Sequence, residues 1–116
     1  MSTAHIEDYA FGNIVIDGER YEEDVIILPD RVISNWWRDE GHTLQTQDLD
    51  AVFEADVDVL VVGQGAYGRM SVPQETRQAM EAAEIKVVAH DTEEACQMYN
   101  RRQENGDVAA ALHLTC

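Results

Sequence analysis

The stretch Val59-Leu60-Val61-Val62-Gly63-Gln64-Gly65-Ala66-Tyr67-Gly68 decides how this chain is read. Val57 to Val62 is a near-continuous apolar run, the pattern of a strand covered on both faces of a sheet. The run ends in G-x-G-x-x-G spelling, which in a dinucleotide fold turns from strand to helix and holds a pyrophosphate. Asp91 follows Gly68 by 23 residues, near the distance of a ribose-binding acid. Pro73 argues the other way. A cofactor helix begins inside its glycine loop, so that its amides face the phosphate. Here Arg69-Met70-Ser71-Val72 intervene, and proline inside that helix costs about 3 kcal/mol or more. The loop is therefore expected to be a tight exit from a buried strand, without NAD, and no cofactor is assigned. At least one of Gly63, Gly65 and Gly68 is expected at positive φ. An anion pocket built from the loop amides and Arg69 is the alternative.

Working outward from this strand, the rest of the chain alternates elements as an α/β domain does. His5 to Phe11 and Asn13 to Ile16 read as strands, and Asp17-Gly18 as a type I′ turn returning the chain through Tyr21. Asp24 to Leu28 is a buried strand stopped by Pro29, and Val32 to Trp37 a further extended piece. Thr46 is placed as the cap of a helix over 47–55, and Pro73 as the first residue of a helix to Ala83. Ile85 to Ala89 is a strand, Thr92 caps the last helix, Gly106 stops it, and Val108 to Leu114 is the last strand. One three-layer domain over 1–116 follows, with a central mixed sheet, flanking helices, an N-terminal antiparallel hairpin and residues 1–4 loose.

The charge speaks of habitat. Twenty-three acidic residues face eight basic ones, a net of −15, and Lys86 is the sole lysine. Such a surface repels itself at low salt, whereas at molar salt a Debye length of about 3 Å removes the repulsion. A halophilic archaeon with a salt-loaded cytoplasm fits this balance. Nucleic acid is disfavoured as a partner because phosphate backbones are repelled. No apolar run reaches the roughly 20 residues a bilayer span needs, and Met1 to His5 carry no signal-peptide pattern. A cytoplasmic protein without membrane insertion is expected.

Four stretches, "FGNIVIDGERYEEDVIILPDRVISNWWRDEGH", "VLVVGQGAYGRMSVP", "DTEEACQMYN" and "VAAALHLTC", occur in an order that spans nearly the whole chain. They resemble the small α/β family of unknown function, the Mth-type domain. Its eukaryotic members include a mitochondrial complex I assembly factor and an adipogenesis-associated protein, and this chain is most similar to the archaeal branch. The resemblance implies a three-layer domain with a mixed sheet and no established catalytic activity. The family's G-x-G maps to Gly63 and Gly65, and its threonine-alanine-tyrosine-asparagine signature to Thr92, Ala95, Tyr99 and Asn100. Arg101-Arg102 and Gly106-Asp107 stand where many relatives carry apolar residues and a later arginine.

Thr92, Cys96 and Tyr99 or Asn100 fall on one helix face. Cys96 reads as a small core residue, and Tyr99 as a ring packed inside with its hydroxyl on a backbone group. Asn100 in mid-helix needs a partner; a structural latch and a ligand contact are both open, with the glycine loop as one candidate. Gly63, Gly65, Gly68, Arg69, Thr92, Tyr99 and Asn100 are thus the ligand-pocket candidates. Asn35 to His42 holds the second candidate surface, Trp36, Trp37, Arg38 and His42. Adjacent tryptophans on an extended piece cannot both face one core, so one is exposed beside an arginine, as in binding hot spots. A tryptophan lid with Arg38 snorkelling is equally open. His5, His42, His90 and His113 are scattered, no C-x-x-C or H-x-x-x-H pairing exists, and G-x-S-x-G is absent. Neither a metal nor a catalytic residue is assigned. An interaction or assembly-type module leads, with an unknown protein partner; a small-molecule or anion binder is the alternative, and an enzyme using Cys116, His113 or Asp91 the third reading.

Overall fold

Residues 4–38, 41–103 and 107–115 are described by the structure, a computed structural model. Strands β1 (Ile6–Ala10), β2 (Asn13–Ile16) and β3 (Glu19–Tyr21) form an antiparallel meander. Asp17 and Gly18 sit at φ 51° and 82°, and Ile16 pairs with Glu19 across them. These are the paired positive φ values of a type I′ turn, whose twist suits the flanking strands. The return through Tyr21 is a strand of its own, so the hairpin is a three-stranded sheet.

The second sheet carries β4 (Val25–Leu28), β5 (Arg31–Ile33), β6 (Val59–Gln64), β7 (Lys86–His90) and β8 (Val108–His113). Their order is β5-β4-β8-β6-β7. β6 runs parallel to β7 and β8, while β4 is antiparallel to both β5 and β8, so the sheet is mixed. Every residue of β4 and β8 is buried, as are Leu60 to Gly63 of β6. That is why these strands read as apolar runs rather than alternating ones. The extended piece expected to Trp37 stops at Ile33, and Asn35 turns the chain at φ 55°. Asparagine tolerates this left-handed geometry better than most side chains.

Period-two alternation sends each strand's side chains to opposite faces. Ile27, Val61, Ala110 and Leu112 pack with Ile6, Ile14 and Ile16 of the meander and with Ala95, Cys96 and Tyr99 of helix α3 (Thr92–Arg102). Ile26, Leu60, Val62, Ala109 and Ala111 pack on the other face against Leu44, Leu49, Val52, Met70 and Met80. That face is covered by a 3-10 turn (Thr46–Leu49), helix α1 (Asp50–Glu54) and helix α2 (Gln74–Ala82). Three layers result. Ala4, expected to be loose, is buried in the first cluster.

The helix starts differ from the sequence expectation. The helix over 47–55 divides into the 3-10 turn and α1, and Gln45 stands at its head, with its amide bonded to the Asp48 carboxylate at 2.9 Å. Pro73 stands one residue before α2 and accepts the Arg77 amide through its carbonyl. The cap of α3 is Asp91, whose Oδ1 accepts the Glu94 amide at 3.0 Å. Thr92 is the first helical residue, because its hydroxyl is engaged across the sheet. The expected stop at Gly106 lies outside the described residues.

Candidate functional site

The parallel strands end where the chain reverses face: β6 leads to α2 on one side of the sheet, β7 to α3 on the other. In open α/β sheets such a switch leaves a crevice in which ligands bind. Here Thr92 fills it. Its hydroxyl donates to the His113 carbonyl at 2.5 Å and accepts the Gly65 amide at 2.9 Å. Its own amide donates to the Gly65 carbonyl at 3.0 Å. A Cβ at Gly63 would stand 2.9 Å from both the Thr92 hydroxyl and Leu112 Cδ2, so glycine there is required by close approach. Gly65 and Gly68 take φ 99° and 67°, as the turn demands. The Ala66 amide donates to Thr115, the Gly68 amide to Gly65 and the Met70 amide to Gln64. The amides of Gly65, Ala66, Gly68 and Met70 thus bond the protein's own oxygens, whereas the amides of an anion cradle point outward.

The remaining pocket candidates disperse from this loop. Tyr99 is wholly buried with its hydroxyl unpartnered among the described residues. Burial, with a smaller effect of Asp17, pushes that hydroxyl's pKa up to about 12. Asn100 does find a partner, and it is β1. Its Nδ2 donates to the Ile6 carbonyl at 2.7 Å, and its Oδ1 accepts the Ile6 amide at 3.0 Å. Asn100 thereby ties α3 to β1. Arg69 lies outside, its guanidinium 5.8 Å from the Tyr67 ring centre. Tyr67 in turn meets Phe11 with ring centres 6.2 Å apart.

The tryptophan pair divides as adjacent residues must. Trp36 is buried and donates its indole N–H to the Asp48 carbonyl at 3.0 Å, while Trp37 is 78 % exposed. Arg38, expected at the surface, is instead buried in an ionic cluster that local sequence does not show. Its Nη1 donates to Asp24 Oδ2 at 2.8 Å and its Nη2 to the Gly41 carbonyl at 3.0 Å. Its guanidinium also lies 4.8 Å from the Trp36 ring centre. His113 Nδ1 stands 2.8 Å from the same Oδ2, and the Leu114 amide donates to Oδ1 at 2.8 Å. Burial raises the Asp24 pKa, but the bonds from His113, the Leu114 amide and Arg38 outweigh it and hold the carboxyl below its usual range. His42 is exposed, its ring centre 5.9 Å from that of His113 and nearly perpendicular.

The chemistry open to these groups is limited. Cys96 is buried, and that burial, with Glu93 nearby, pushes its thiol up to about 12, far from a reactive thiolate. Asp24 and Arg38 neutralise each other behind the sheet end. Cys116 lies outside the described residues.

Residues 6–113 match the family described as a protein of unknown function, DUF498/DUF598. The chain belongs to that family. Among solved structures, this DUF498/DUF598 member is similar to a conserved hypothetical protein from Pyrococcus horikoshii at 29 % identity and TM-score 0.82. The match covers 96 % of this chain and 98 % of the other. A Mth938-like domain from Bordetella pertussis shares the fold at 20 % identity and TM-score 0.77, over 96 % of this chain and 85 % of that one. So does a protein described as an outer membrane protein from Bartonella henselae, at 21 % identity and TM-score 0.83, over 99 % and 98 %. Among the described residues of this DUF498/DUF598 chain, no helix is long and apolar enough to cross a membrane.

Proposed function

We propose that this domain is a non-enzymatic interaction module of the assembly type, which docks a protein partner through Phe11, Tyr67, Arg69 and Trp37. One observation carries the reading: among the described residues, the large hydrophobic side chains left outside are Phe11 at 55 %, Trp37 at 78 % and Tyr67 at 68 % exposure. Phe11 and Tyr67 meet in a tilted ring contact, with Arg69 over the Tyr67 ring. Aromatic rings with arginine are the composition of interface hot spots, because they bury much area for few frozen torsions. The −15 charge favours a partner with a cationic face over a nucleic acid. The acidic, lysine-poor composition supports a salt-loaded cytoplasm as its habitat. The anion-binding alternative at Gly63–Gly68 and the Thr92–Asn100 helix draws less support, since Thr92 and Asn100 already serve backbone groups.

The test is a pull-down in molar KCl with the native chain and the triple variant Phe11→Ser, Tyr67→Ser, Trp37→Ser. A stoichiometric partner recovered by the native chain and lost by the variant is expected. Equal recovery by both would remove these side chains from the interface.

A further inference from the structure

β7 stands last in the order of the larger sheet and pairs with β6 alone. We propose that its open edge is where a second copy of this chain joins, strand antiparallel to strand, so that two sheets become one. This surface shares no residue with the aromatic face proposed above.

The backbone supplies the first argument. The Lys86 amide donates to the Asp58 carbonyl, on the β6 side, at 2.9 Å. Alternate residues of a parallel ladder bond the same neighbour, so Val88 and His90 follow Lys86 toward β6. Val87 and Ala89 are left to turn N–H and C=O to the open side. A two-fold axis through Val88, perpendicular to the sheet, sets Val87 of each copy opposite Ala89 of the other. Each such pair exchanges both of its N–H···O bonds, as in any antiparallel ladder.

The second argument is the groove beside that edge. Its volume is about 400 Å3, and Arg77, Glu81, Glu84, Ile85, Lys86 and Val87 line it. No residue of β6 is among them, so the groove opens on the outer side of β7. Arg77, Glu81 and Glu84 are exposed and recur at i, i+4 and i+7, one stripe along α2 and the turn that ends it.

Charge says which partner fits. The chain as a whole carries 23 acidic residues against 8 basic ones. The groove holds two of each, and none of the four has an ion-pair partner among the described residues. A lone lysine on an edge strand wards off pairing, but here Lys86 is matched by carboxylates in the same groove. The two-fold axis runs the two α2 helices antiparallel on one side of the sheet. Arg77 of each copy then approaches Glu81 of the other, the self-complementary match that an isologous interface requires. Elsewhere two copies with a charge of −15 repel each other, so the association strengthens as salt is added.

The test is sedimentation velocity of the full chain in molar KCl over a series of concentrations, with amide hydrogen exchange at both ends of the series. A monomer–dimer equilibrium is expected, with the Val87 and Ala89 amides protected only at high concentration. Val87→Pro is tolerated on an open edge and removes two of the cross-axis bonds, so association should weaken about tenfold or more. Arg77→Glu should also weaken it, and Arg77→Glu combined with Glu81→Arg should restore it. The triple variant Phe11→Ser, Tyr67→Ser, Trp37→Ser should associate as the native chain does. A chain that stays monomeric at every concentration would overturn the pairing and leave the edge to a strand of another protein. Native association in Val87→Pro or Arg77→Glu, no rescue by the double exchange, or loss in the triple variant would overturn it too.

Discussion

Replacing Thr92 with valine isolates hydrogen bonding from packing. The two side chains are nearly the same size, and Thr92 is fully buried, so no cavity opens. What is lost is the donor to the His113 carbonyl and the acceptor for the Gly65 amide. Each backbone group would be left buried without its partner, at about 1–3 kcal/mol apiece. Allowing for the added methyl's favourable burial, roughly 2–4 kcal/mol of stability should go. For a chain of this length that is a fall in Tm of about 6–16 °C. Thr92→Ser keeps the hydroxyl and loses one methyl group, at about 1 kcal/mol. Urea unfolding in molar KCl, followed by tryptophan fluorescence, gives both differences. Thr92→Val as stable as Thr92→Ser would refute the hydroxyl's role as the pin between the glycine loop, α3 and β8.

Gly63→Ala should cost about 1–3 kcal/mol by overpacking against Leu112 and Thr92, whereas Gly68→Ala, open on all sides but at φ +67°, should cost about 1 kcal/mol of backbone strain. Equal losses at the two positions would count against this distinction. Stability should fall as pH rises above about 9: Cys96 stays protonated to about 12 in the fold but ionises near 9 when unfolded, so the native state binds more protons across that window. Tyr9 and Tyr99 act in the same direction from about 10 to about 12; Cys96→Ala should therefore delay the onset to near pH 10, and an unchanged onset would contradict it. Thermal melts should climb steeply between low and molar KCl because of the −15 charge, and flat melts would remove the halophile reading.

Much of the sheet was legible because its physics is local. A run such as Val59 to Val62 needs burial on two faces, Asp17-Gly18 selects one turn type, and a late Pro73 keeps a helix away from the glycine loop. Helix starts were harder, because the rival cap residues Asp91 and Thr92 are adjacent in sequence. Thr92 is drawn off by Gly65 and His113, partners 27 and 21 residues away. The site was legible in pieces. Trp36 and Trp37 had to divide between core and solvent, but nothing nearby says that Arg38 turns inward. Its partner Asp24 sits 14 residues upstream, and Asp24 meets His113 over 89. Phe11 reads as the end of the first strand and Tyr67 as part of the glycine turn, and neither signals exposure until the loops carrying them meet.

The place of β8 bears on how the protein is made. It comes last of the strands among the described residues, yet it lies between β4 and β6 in the middle of the sheet. During vectorial synthesis Val25 to Leu28 and Val59 to Gln64 emerge long before Val108 to His113. The nascent polypeptide therefore carries two sticky apolar ribbons, each lacking the neighbour that will cover it. Unpaired strands of this kind recruit other chains. The sheet closes only when Val108 to His113 slots between the two ribbons and the two halves become one.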